Sequence, residues 1–187
     1  MASAGREEGA SSPSIMNTRF LLEHFPTPIG TMLLVTDDRE RLRALDWKEY
    51  EDRMRRLLRL HYGSGWSLSP GSSPRVHAAL EAYFAGDITA IDRVPTETRG
   101  TPFQRAVWAA LRRIPAGDTM SYGALAARID RRSAVRAVGR ANGANPIGIV
   151  VPCHRVIGAD MSLTGYGGGL ERKRWLLRHE GAGAEAS

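Results

Sequence analysis

The run Ile149-Val150-Val151-Pro152-Cys153-His154-Arg155-Val156-Ile157 constrains this chain more than any other stretch. Its β-branched residues read as a buried strand. Pro152 has no N–H for a ladder and fixes its own φ, so the strand is predicted to end there in a turn. Cys153 then stands where the chain leaves the sheet. It is the only cysteine among 187 residues. A cysteine alone in apolar surroundings is by default a small buried hydrophobe. Here a histidine and an arginine follow it directly. Cations beside a strand end favour the thiolate, which is the reactive form.

A single cysteine excludes an internal disulfide and a multi-thiolate zinc site, and it fits a reducing compartment. Hydrophobic residues make up 42%, enough for a real core. There is no run of transmembrane length and no basic-then-apolar start of a signal peptide, so a soluble, cytoplasmic protein without a membrane partner is expected. Charge is uneven. Residues 1–96 carry 12 Lys+Arg against 13 Asp+Glu, whereas residues 97–187 carry 14 against 7. The positive excess therefore lies in the half that holds Cys153. A polyanion such as nucleic acid is the functional reading, and a solvated basic face is the plain one. Nearly all these cations are arginine, which suits bidentate phosphate contacts.

Residues 1–16 are rich in Ala, Ser, Gly and Glu and predict a disordered tail. Three alternating runs follow, Phe20–Phe25, Thr31–Thr36 and Leu42–Trp47, separated by turn residues. They predict an antiparallel meander. Helices are predicted over Asp52–Tyr62 and Pro74–Phe84, with a short strand around Trp66. His24, His61 and His77 are scattered, and no metal site is expected from them. A polar stretch with Pro95 and Gly100 marks a boundary, which divides the chain into a 17–95 domain, a 96–181 domain and a 182–187 tail.

The second domain opens with a predicted helix from Phe103 to Ile114. Ser121-Tyr122-Gly123 opens a second, with Leu125 and Ile129, and Ser133 is predicted to cap a third that reaches Asn142. Two short helices and a tight turn make a helix-turn-helix. Arg132, Arg136 and Arg140 recur at four-residue spacing, beside the small residues Ala134, Ala137 and Ala141. Such a face can approach a groove floor, although it also describes an ordinary Ala/Arg surface helix. Asn142-Gly143-Ala144-Asn145-Pro146 is a turn back to the apolar run. Thr164 to Gly169 is a glycine loop with one tyrosine, Tyr166. Its spacing fits neither a P-loop nor a dinucleotide fingerprint, so a pocket wall for a flat ligand is the better functional reading, and a flexible glycine turn is the plain one. A final helix runs from Leu170 to Glu180, and Gly181 can end it. The fold class is α+β: a small N-terminal α/β domain with an antiparallel sheet, then a mostly helical domain with a helix-turn-helix.

These pieces together resemble the O6-alkylguanine-DNA alkyltransferases, also called methylated-DNA–protein-cysteine methyltransferases, in the bacterial form without a zinc domain. The resemblance rests on ordered motifs: Gly-Thr-Pro-Phe-Gln at 100–104, Ser-Tyr-Gly at 121–123, Arg-Ala-Val-Gly at 136–139, Asn-Pro at 145–146, Pro-Cys-His-Arg-Val at 152–156, Thr-Gly-Tyr-Gly-Gly-Gly at 164–169 and His-Glu-Gly at 179–181. It covers Thr96 to Gly181 strongly, and residues 17–95 by layout alone.

The resemblance implies a role for each position. Cys153 would accept the alkyl group and His154 would take its proton, with Glu180 orienting the histidine. Asn145 would hold the turn. Tyr122 would push the target phosphate and donate to the guanine ring. Arg136 would fill the gap left by a flipped base. Gln104, Gly123, Ala134, Ala137, Gly139 and Arg140 would complete the DNA face. Val151, through its carbonyl, would read the exocyclic amine, and Tyr166, Gly167 and Gly168 would close the guanine pocket. Gly167 stands where some relatives carry serine. The implied partner is double-stranded DNA with an alkylated guanine, bound by a monomer that uses neither cofactor nor metal. O4-alkylthymine is an expected second lesion. Three other readings stay open: a helix-turn-helix regulator, a lesion-binding module without transfer, and a cysteine hydrolase with turnover.

Overall fold

A computed structural model of the protein describes residues 18–182. The predicted tails lie outside the described residues, except Ala182, which is buried with Ile157 and Leu177. Strands β1 (Thr18–Thr27), β2 (Gly30–Thr36) and β3 (Leu42–Trp47) form the expected antiparallel meander. Helix α1 (Glu51–Tyr62) then crosses one face of the sheet, and β4 (Trp66–Pro70) pairs with β1 in parallel. The sheet, ordered β3-β2-β1-β4, is therefore mixed rather than antiparallel. A helical crossover returns the chain in its original direction, as parallel pairing requires.

Period-two alternation on β2 explains why this strand is buried on both sides. Leu33 and Val35 pack with Phe20, Ala44 and the α1 residues Met54 and Leu58. Met32 and Leu34 join the larger cluster on the opposite face, with Trp47, Val107, Trp108 and Ile147. That cluster runs through residues on both sides of position 95. The segment between is also tied to β3, because Leu42 donates its N–H to Pro95 O at 2.8 Å and accepts from Glu97 N–H at 3.1 Å.

Helix α2 (Pro74–Phe84) starts as predicted, with Ser73 Oγ accepting from the Val76 N–H. Helix α3 (Pro102–Leu111) is opened by a capping box between Thr101 and Gln104. Next come β5 (Met120–Ser121) and α4 (Tyr122–Arg128), with Ser121 as N-cap. Helix α5 (Val135–Gly143) completes the helix-turn-helix. Its start departs from expectation. Ser133 makes no cap, and the chain spends residues 131–134 on a turn closed by Ala134 N–H to Arg131 O at 2.8 Å. Arg132 thus precedes the helix, and only Arg136 and Arg140 of the arginine row lie on it. Trp108 Nε1 donates to Ala141 O at 2.8 Å and locks α3 against α5.

The apolar run corrects the expectation most. It is not one strand. Ile149 has φ 64, and residues 148–151 form a tight buried turn. Cys153–Arg155 is one turn of 3-10 helix, and only β6 (Val156–Ile157) is extended, paired in parallel with β5. Helix α6 (Leu170–His179) closes the chain, and Gly181 follows it at φ 76.

Candidate active site

The local reason for this turn is Asn145. Its Oδ1 accepts the Ile147 N–H at 3.0 Å, and its Nδ2 donates to Val151 O at 2.7 Å. These bonds replace the ladder that an extended strand would have made. Leu45 of β3 grips the same turn, donating to Pro146 O at 2.9 Å and accepting from Gly148 N–H at 3.2 Å. A β-branched residue at positive φ costs on the order of 1–3 kcal/mol, so Ile149 is held there by its surroundings. Ile149 itself is fully buried. The outcome is that Cys153 is turned toward a cavity of about 240 Å³.

Cys153 is half-buried at the base of this cavity. Tyr122 and Gly139 of the helix-turn-helix form one wall, and Tyr166, Gly167 and Gly168 form another. The β5–β6 pair explains why Tyr122 arrives there. Ser121 is opposite Ile157, so the next residue starts α4 beside the cysteine turn. Tyr122 then lies against Gly139, where an added Cβ would sit 3.8 Å from the tyrosine ring.

Behind the cysteine lies a buried charge network. His154 is fully buried and bonds through Nε2 to Glu180 Oε1 at 2.9 Å. Arg155 grips both oxygens of Glu180, from Nε to Oε2 at 2.9 Å and from Nη2 to Oε1 at 2.9 Å. The Tyr83 hydroxyl donates to Oε1 at 2.7 Å. Burial alone would raise the Glu180 carboxyl, but the donors from His154 and Arg155 and the arginine charge hold it well below the usual range. A carboxylate only accepts, so the histidine proton is on Nε2. Burial pushes the His154 pKa down against the pull of Glu180, so the ring is neutral. Its Nδ1 is buried and has no partner among the described residues. That atom is a free base. Burial also pushes the Cys153 thiol up, and the Asn145 amide and the Lys173 ammonium counter this only in part. The resting group is a thiol that needs a base to act.

The other expected residues divide. Arg136 and Arg140 are exposed on α5, and Gly123 is exposed on α4, while Ala134 and Ala137 are partly covered. Gln104 is not brought to the cavity; its Oε1 accepts the Thr101 N–H in the capping box. Val151 does not line the cavity; its carbonyl is used inside the turn, where it accepts from Asn145 Nδ2 and from the Cys153 N–H at 2.8 Å. Sequence reasoning missed Tyr83 and the Arg155 fork as anchors of Glu180. It also missed Asp46, Trp47 and Arg53, which reach the cavity from the N-terminal half. Arg155 stood in the quoted motif, so its signal was present. Tyr83 looked like any apolar helix position.

Fold and site together define an α+β protein whose helix-turn-helix walls a pocket with a base-backed cysteine at its foot. The profile described as "6-O-methylguanine DNA methyltransferase, DNA binding domain" matches residues 102–182. The methylated-DNA–protein-cysteine methyltransferase of Salmonella typhimurium is 54% identical over 165 residues, covering 87% of this chain and 96% of its own. The Haemophilus influenzae protein of the same name is 39% identical, with 87% of each chain covered. Among solved structures, Mycobacterium tuberculosis OGT in complex with DNA superposes with a TM-score of 0.70 at 42% identity, covering 86% of this chain and 92% of that one. The chain belongs to the methylated-DNA–protein-cysteine methyltransferases.

Proposed function

We propose that this protein repairs DNA by direct reversal, moving the alkyl group of O6-alkylguanine, and of O4-alkylthymine, onto Cys153 once per molecule. The observation that carries this reading is the chain of groups behind the thiol: Cys153, the unpartnered Nδ1 of neutral His154, and Glu180 locked by Arg155 and Tyr83. His154 Nδ1 takes the thiol proton through a bridging water, and Glu180 stabilises the imidazolium that forms. The sulfur attacks the alkyl carbon in line and the C–O6 bond breaks. Its electron pair passes to the guanine, which takes a proton from the Tyr122 hydroxyl, and that oxygen regains one from the His154 imidazolium through water. The thioether has no leaving step, so the protein is spent.

The base must leave the duplex to reach the cavity. Helix α5 faces the DNA, with Arg136 filling the vacated stack and Gly123, Ala134, Ala137, Gly139 and Arg140 against the backbone and groove. The glycine loop and Tyr166 cover the flipped base. In this reading residues 96–181 are the DNA-binding and acceptor domain and residues 17–95 a supporting one. One pocket receives one base, so a monomer suffices. A reduced thiol and the need to reach DNA support an activity in the cytoplasm. Among the described residues no helix is long and apolar enough to cross a membrane. Neither a regulator nor a passive lesion binder needs a thiol backed by this base, and neither is favoured.

The test is Cys153→Ser. It is expected to bind DNA and accept no alkyl group, because a hydroxyl is a far weaker nucleophile near neutral pH. Transfer by the serine variant would remove Cys153 from its role.

A further inference from the structure

The loop that closes the cavity is tied by two arginines to the N-terminal half of the chain. Gly167 and Gly168 present successive carbonyls, and an arginine takes each. Arg53 of α1 donates from one terminal nitrogen to Gly167 O. Its Nε donates to Asp46 Oδ2 at 2.8 Å, and its other terminal nitrogen pairs with Asp46 Oδ1. The guanidinium lies 4.4 Å over the Tyr50 ring. Arg172 of α6 donates to Gly168 O at 3.1 Å and to Ile29 O at 2.9 Å, pairs with Glu49, and lies 4.1 Å over the Trp47 ring. Apart from the loop itself, every partner of both arginines belongs to the N-terminal half.

The missing side chains of the loop fit this latch. A Cβ on Gly167 would come within 3.0 Å of Arg53 Nη1, and one on Gly168 within 2.3 Å of Trp47 Nε1. A loop so rich in glycine has many conformations to lose, so its position depends on its anchors. Exposed ion pairs are weak, yet the Asp46 side chain is only 7% exposed and the Arg53 fork grips it at two points.

We infer that Arg53 is a positioning residue that sets the height of the glycine loop above Cys153, and so the size of alkyl group the pocket uses well. The inference rests on the cavity being the pocket for the flipped base. A tight loop presses a small alkyl group toward the sulfur. A lifted loop loses that alignment for a methyl group, whereas a benzyl group still fills the space and aligns itself. Misplacement by about 1 Å can cost on the order of a hundredfold in rate. Lysine cannot substitute, because it lacks the planar fork that reaches two acceptors at once.

The experiment compares the full-length protein with Arg53→Ala and Arg53→Lys. Duplexes carrying O6-methylguanine or O6-benzylguanine are followed by intact mass, and iodoacetamide labelling of Cys153 serves as a control for the thiol. Both variants are expected to slow the methyl duplex by about tenfold and the benzyl duplex by about threefold or less, with labelling changed by less than about twofold. Equal losses on the two duplexes would mark a merely structural role and overturn the inference. Should neither variant fold, Gly167→Ser pushes on Arg53 from the loop side and must shift the same ratio; an unchanged ratio is again fatal. A wild-type protein that transfers neither group to Cys153 would remove the pocket reading and this inference together.

Discussion

Among single residues, the chemistry of the site turns on where one proton sits. His154 donates from Nε2 to a locked carboxylate and keeps Nδ1 as base. Burial puts its pKa below the ordinary 6.5. Protonation of Nδ1 stops the reaction, so the rate of reaction with O6-benzylguanine should stay level as pH falls through 6.5 and decline only below it. A rate–pH profile checks this, and a decline centred at or above 6.5 would contradict a neutral, buried base. Stability follows with the same sign. Between the folded and unfolded pKa of His154 the unfolded chain holds the extra proton, so stability drops as pH falls below 6.5. Glu180 has a depressed folded pKa as well, and its contribution is lost further into acid, below the ordinary 4.5. Thermal midpoints should therefore fall continuously on acidification from neutrality.

At the scale of elements, α5 is the part assigned to opening the duplex. Arg136 is exposed and borders small residues, as a side chain that enters a base stack must be. Arg136→Ala should slow repair of duplex DNA by about tenfold or more, in keeping with a flipping cost of a few kcal/mol, and leave reaction with free O6-benzylguanine nearly unchanged. Rate constants on the two substrates decide this, and equal loss on both would favour a structural role. Much of the layout was legible because it depends on local signals. The starts of α2 and α4, the meander and the final glycine were read from residue type and spacing. The Ile149–Val151 turn was not, because its tertiary ties, from Asn145 and Leu45, override β propensity. Val151 was misplaced with it, since its carbonyl bonds Asn145 Nδ2 and the Cys153 N–H inside the turn and the residue does not line the cavity. Arg53 and Tyr83 could not be found by motif, because they reach the site across large separations, 114 residues from Gly167 and 97 from Glu180.

For the whole molecule, one core runs through both halves and the pocket sits on its seam. Disturbing the pocket should therefore be felt in global stability. The cavity of about 240 Å³ has room for a methyl group on the sulfur. A permanently attached benzyl group is expected to press on Tyr122 and Tyr166, which line the same cavity as Cys153. Overpacking costs about 1–3 kcal/mol, and each kcal/mol moves the midpoint by roughly 2–4 °C for a chain of this size. Benzylated protein should then melt several degrees below methylated protein, with DNA removed, and equal midpoints would show that the pocket yields freely. Irreversible transfer to one residue is read from intact mass after incubation with excess O6-methylguanine duplex. A gain of one methyl group per chain is expected, located on Cys153, with no further repair after it. Turnover beyond one equivalent, or binding with no change in mass, would contradict it.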